Sequence, residues 1–96
     1  MFLEIITPEK HIFQGEVDAV QLPGTDGLFQ ILNNHAPIIA TLASGSVKVN
    51  LADNHKTLDN LSGEIIPDTS NDKVIRVEIK GGVVEMMNNN IILLAN

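Results

Sequence analysis

The stretch IRVEIK, Ile75 to Lys80, sets apolar and charged residues in strict alternation. A period of two is the signature of a β-strand with one face buried and one face wet. VKVNL, Val47 to Leu51, repeats the pattern. Asp18-Ala19-Val20-Gln21-Leu22 alternates as well, with Val20 and Leu22 on one side. The adjacent pairs Ile5-Ile6, Ile38-Ile39, Val83-Val84 and Ile91-Ile92 suggest strands buried on both faces or lying near bends.

Turn formers punctuate these runs at short intervals, among them Thr7-Pro8, Gln14-Gly15, Pro23-Gly24, Asp26-Gly27, Asn33-Asn34, Ser44-Gly45, Gly81-Gly82 and Asn88-Asn89-Asn90. No segment carries an i, i+3, i+4, i+7 stripe over helical length. Many short strands separated by turns specify an all-β fold, a two-layer β-sandwich of short antiparallel strands. The expected organisation is a single domain over residues 1–96. A polar region at about 53–73 breaks the rhythm and reads as a long inserted loop or hairpin. Ser70-Asn71-Asp72 is its expected mobile point. Pro23-Gly24 suits the central positions of a type II turn, with glycine supplying a positive φ, and Asp26-Gly27 suits a second tight turn.

At 96 residues and 44% hydrophobic, the chain has material for one core. Three Phe and no Trp or Tyr leave that core to Ile, Val and Leu, and leave little for stacking on nucleic-acid bases. Twelve acids against six bases give a net charge of −6. Such a balance argues against a nucleic-acid partner and favours partners with exposed Arg or Lys. The absence of cysteine excludes disulfides and thiolate chemistry. No signal peptide and no membrane-length apolar run are visible, so the expectation is a soluble intracellular chain.

Catalytic signatures are equally sparse. His11, His35 and His55 stand twenty or more residues apart, without the tight local pair that metal sites usually show, so no metal site is expected. The acids sit beside turns or at polar strand positions, as solvated charges do. Gly24-Thr25-Asp26-Gly27 is glycine-rich but opens no helix, and Asp26 would repel a phosphate. No catalytic residue and no cofactor are expected.

FQGEVDAVQLPGTDGLFQILNNHAPIIATLASGSVKV, Phe13 to Val49, resembles the N-terminal β-sandwich domain of the epsilon subunit of F-type ATP synthases. The resemblance is carried by Phe13-x-Gly15, the glycines Gly24 and Gly27, Ile31, His35-Ala36-Pro37, and Gly45 through Val49. Gly81-Gly82-x-Val84-Glu85 and the closing strand match in the second half. The chain departs from the family pattern at Asn33-Asn34, where relatives usually carry Pro-Gly, and at Leu28, where some carry a carboxylate. Asn tolerates the left-handed conformation, so the turn survives the first change. Many epsilon subunits continue into a two-helix hairpin that restrains ATP hydrolysis. This sequence ends at Asn96 after its last strand and resembles a short form lacking that hairpin.

The resemblance implies a non-catalytic central-stalk subunit, not an enzyme by itself, that links the gamma subunit to the c ring and couples ion flow to ATP synthesis. It implies c-ring contacts at Asp26, Gly27, Leu28 and Asn34, and gamma-subunit contacts at His35, Ala36, Pro37 and Ile38. It places the chain on the cytoplasmic face of the bacterial inner membrane, associated with the membrane only through the complex. The alternative from the residues alone is a free-standing β-sandwich binding module for a peptide or glycan.

Overall fold

A computed structural model describes residues 1–53 and 65–96. Nine strands run through them: β1 (Phe2–Ile6), β2 (His11–Gly24), β3 (Gly27–Leu32), β4 (Ile38–Leu42), β5 (Gly45–Leu51), β6 (Ile65–Pro67), β7 (Val74–Ile79), β8 (Gly82–Met87) and β9 (Asn90–Ala95). The pairing order is β1-β9-β8-β4-β2-β5-β7-β6, with β3 on β2 and a second contact between β1 and β2. The all-β, two-layer architecture expected from the alternation is what the structure shows.

Strand β2 joins the layers. Its first half pairs with β1 and its second half with β3 and β5. Between the halves, Val17 lies opposite Leu51 and Ala19 opposite Asn50, so Asp18 is an extra residue with no partner across the ladder. Such a bulge bends a strand and raises its twist. It also resets the alternation: Phe13 and Val17 point inward before it, Val20 and Leu22 after it. One layer is then β1, β9, β8 and β4 with the start of β2. The other is β3, the end of β2, β5, β7 and β6. Leu3, Ile5, Val84, Met86, Ile91 and Leu93 from the first layer meet Val20, Leu22, Ile31, Val47, Val49, Ile75 and Val77 from the second in one core.

The structure adds two features to the expectation. The β1–β9 pair is parallel, joining the first and last strands without a direct connection. Strand β2 is 14 residues long, because the bulge carries it from one layer into the other. The family-like Phe13-x-Gly15 spacing has a packing cause: a Cβ on Gly15 would sit 3.2 Å from the Phe13 ring. Met87 faces Asn90 across a two-residue turn in which Asn88 and Asn89 both have positive φ, 53° and 62°. Those are the requirements of a type I′ hairpin.

The doubled apolar pairs behave differently from expectation. Ile5, Val84 and Ile91 are buried, but Ile39 is 73% exposed, Val83 40% and Ile92 41%. Among the described residues, only one face of that layer has a second layer against it. The pairs therefore report two apolar faces, not two covered ones.

Of the 53–73 region, residues 54–64 lie outside the described residues. Residues 65–67 form β6 on β7. The expected mobile point at Ser70-Asn71-Asp72 is instead a closed turn. One oxygen of Asp68 accepts the Ser70 and Asn71 backbone N–H groups and the Ser70 hydroxyl, and the other accepts Arg76 Nη1 at 2.8 Å. An Asp accepting backbone N–H groups two and three residues on is an Asx-type turn, which removes the freedom the composition suggests.

Candidate interface

The turn between β2 and β3 sits two residues later than the Pro-Gly pair suggests. Pro23 and Gly24 belong to β2 and lie opposite Leu28 and Gly27, and Thr25-Asp26 make the turn. The expected type II turn at Pro23-Gly24 is therefore overturned. The positive φ, 122°, belongs to Gly27. Gly24 is needed for space: a Cβ there would lie 2.7 Å from the Gly27 carbonyl oxygen and 2.9 Å from the Phe29 ring.

At the far end of β3 the chain reverses through Leu32-Asn33-Asn34-His35, with the His35 N–H donating to Leu32 O at 3.2 Å. Asn34 takes a left-handed φ of 63°, the role expected for it in place of glycine. The loop is tied from inside. The Met1 ammonium donates to Asn33 Oδ1 at 2.8 Å, and the Asn34 N–H donates to Asn89 Oδ1 at 2.8 Å. Nδ1 of His35 donates to Ala36 O at 2.7 Å, and the residue is exposed. Asn34, His35, Ala36 and Pro37 are all exposed.

The eight residues singled out in the sequence thus fall into two groups separated by β3, roughly 20 Å of strand. Asp26, Gly27 and Leu28 stand at one end. Asn34, His35, Ala36 and Pro37 stand at the other, so Asn34 sits with His35 and away from Asp26. Ile38 turns back along β4 and shares a groove of about 500 Å³ with Asp26, Gly27 and Leu28.

That groove also takes in Thr25, Phe29, Ile39 and Thr41, which the sequence did not single out. Thr25 closes one end: its N–H donates to Thr41 O at 3.1 Å, and the two hydroxyls are 3.0 Å apart. Among the described residues, Asp26 is the ionisable residue in the lining, and no base accompanies it. The available signal was Ile38-Ile39 between Pro37 and Thr41, an apolar pair beside a short strand, whose exposed member the pattern alone does not reveal.

Ile39 also opens onto the outer face of the β4-β8-β9-β1 layer. Cross-strand register sets Ile39, Glu85, Ile92 and Glu4 in one row and Thr41, Val83, Leu94 and Ile6 in the next. The face is apolar with an acidic row through it. The second layer's outer face carries Gln21, Lys48 and Arg76 side by side.

Comparison with known proteins adds an independent finding. Residues 1–66 match the family model described as ATP synthase, Delta/Epsilon chain, beta-sandwich domain. The chain is 41% identical over 76 residues to the ATP synthase epsilon chain of Chlorobium limicola, covering 79% of this chain and 86% of that protein. It is 32% identical over 94 residues to the ATP synthase epsilon chain of Leptospira borgpetersenii, covering 98% of this chain and 59% of that protein. Among solved structures, a chain of the Tetrahymena thermophila mitochondrial ATP synthase central stalk and c ring superposes with a TM-score of 0.71 at 18% identity. The superposition covers 99% of this chain and 62% of that one, and it is a likeness of fold.

Proposed function

Because the chain belongs to the delta/epsilon chain family of ATP synthase subunits, matching its β-sandwich domain over residues 1–66, we propose that it serves in the central stalk, linking the gamma subunit to the c ring and helping couple ion flow to ATP synthesis. The carrying observation is that this match contains all eight candidate contact residues. The role asks for no catalysis from this chain. It asks for a body that passes torque without yielding, and a close-packed sandwich core resists deformation.

In this proposal Asp26, Gly27 and Leu28 form the ring contact. Asn34 reaches the same ring only with β3 lying along it, and His35, Ala36, Pro37 and Ile38 face the gamma subunit. The net charge of −6 favours basic surfaces on either partner. The chain reaches the membrane only through the complex, on the cytoplasmic face of the bacterial inner membrane.

The test is association of the purified chain with the gamma subunit. Saturable binding at micromolar concentration or tighter is expected, weakened at least tenfold by replacing His35-Ala36-Pro37 while the melting curve holds. No association would sink the central-stalk role. Separate substitutions at Leu28 and Asn34, scored by c-ring retention, decide whether Asn34 belongs with the ring or with His35.

A further inference from the structure

We propose that the open edge of β4 is a docking site for an extended peptide strand carrying a basic residue among β-branched ones. On one side β4 pairs with β8 from Ile38 to Leu42. On the other, among the described residues, it meets only the end of β2, at Gly24 opposite Leu42. The Thr25 N–H donates to Thr41 O and the Ala43 N–H to Pro23 O, so alternate residues of β4 turn their backbone groups away from β8. Two residues earlier on that phase is Ile39, whose N–H and C=O therefore face the groove. Edge groups of this kind are templates for strand addition. Pro37, with no N–H, limits the template to the short run between Ile39 and Thr41.

Register specifies the occupant. A strand laid beside β4 sends alternate side chains inward, against Phe29, Ile38 and Ala40, which suits Val or Ile. Its outward residue opposite Ile39 extends the row Ile39, Glu85, Ile92, Glu4. A Lys or Arg there lays its stem over Ile39 and carries its charge toward Glu85. Thr25 already stands beside Thr41, its N–H on Thr41 O and its hydroxyl 3.0 Å from the Thr41 hydroxyl, so the occupant is centred on Ile39 and turns away before Thr41. Asp26 at the rim, with no base among the described residues of the lining, adds to the preference for a cation. The same charges disfavour edge-to-edge pairing of two copies, each with net charge −6. The groove shares Asp26, Gly27, Leu28 and Ile38 with the contacts proposed above, but a synthetic-peptide probe on the isolated chain tests the edge whether or not the central-stalk role holds.

The probe is a blocked heptapeptide alternating valine with lysine or threonine, titrated into 15N-labelled chain. The expected result is saturable shifts and slowed hydrogen exchange at the Ile39 amide, with binding at least tenfold weaker when glutamate replaces lysine. Ile39→Pro removes the edge N–H while sparing the β8 ladder and should abolish binding. Should that variant fail to fold, Glu85→Lys, on the exposed face, should weaken binding of the lysine peptide by a similar factor. No binding at millimolar peptide, equal binding of the two peptides, full binding by a folded Ile39→Pro or, where that variant does not fold, by Glu85→Lys, or a β4-mediated dimer would each overturn the proposal.

Discussion

The Met1 ammonium donates to Asn33 Oδ1 at 2.8 Å, across 32 residues of chain, and so ties the first strand to the loop that carries His35. The same nitrogen donates to Val17 O at 3.2 Å and lies 3.5 Å from a Glu16 oxygen. A hydrogen bond to a charged donor in a part-buried setting contributes about 1.5–3 kcal/mol. Asn33→Ala should therefore cost about 2 kcal/mol in denaturant unfolding and speed amide exchange at His35. Asn33→Asp keeps the acceptor and should stay near the parent, and equal losses in the two variants would remove the ammonium from the account.

Strand β3 has one fully buried side chain, with Phe29 part-buried against the same core. Ile31 is fully buried, while Leu28 and Leu32 are 68% and 53% exposed. Because β3 separates the two groups of proposed contact residues, its anchor should matter to both. Ile31→Ala should cost about 3 kcal/mol, as a buried large-to-small change does, and should weaken gamma-subunit and c-ring association together. A variant as stable as the parent would show that β3 is held by Phe29 and its ladder to β2 without Ile31.

Much of this architecture was legible in the chain, and the failures share a cause. The alternation of Val47 to Leu51 and Ile75 to Lys80 gave their strands, because one-sided burial writes period two directly into sequence. Asn34, Asn88 and Asn89 were recognisable turn residues, because left-handed backbone restricts residue type. Pro23-Gly24 misled because glycine serves two needs, positive φ and space, and only the position of the Phe29 ring separates them. The Asp18 bulge was hidden because an inserted residue looks like any polar one until its ladder partners are known. For the site, Asp26, Leu28, His35 and Ile38 came from motif order, whereas the Ile39 edge depends on which strands β4 does not pair with. That is a non-local fact, and no local pattern encodes it.

The Gly81-Gly82 pair makes a sharper packing prediction. A Cβ on Gly82 would collide with the Leu94 carbonyl oxygen and press on the Ala95 backbone, so β8 can approach β9 there only with glycine. The obstruction is backbone, and it has no rotamer by which to move away. Gly82→Ala should cost about 2–4 kcal/mol, the scale of overpacking and backbone strain. Gly27, with open space around its Cβ position, meets no such collision. Gly27→Ala should lose less, about 1 kcal/mol from its φ of 122°. Reversal of that order in thermal unfolding would assign the glycine requirement to dihedral angle over contact.

The Asp68 turn should leave a signature in acid. The Ser70 hydroxyl, then Arg76, then the Ser70 and Asn71 backbone N–H groups hold the Asp68 carboxyl well below its ordinary value of 3.8. A carboxylate whose folded pKa is depressed adds stability above its unfolded pKa, near 3.8, and loses it as pH falls through the folded value. The contribution is thus fully present at neutral pH and fades below about pH 4. Asp68→Asn cannot ionise, pairs poorly with Arg76 and should melt lower at pH 7. Its stability should then fall less steeply between about pH 4 and pH 2, so the two melting curves converge in acid. Part of the difference at pH 7 should also close in high salt, since Arg76 is 39% exposed. Parallel curves down to pH 2 would mean the Ser70 and Asn71 contacts hold equally well without the charge.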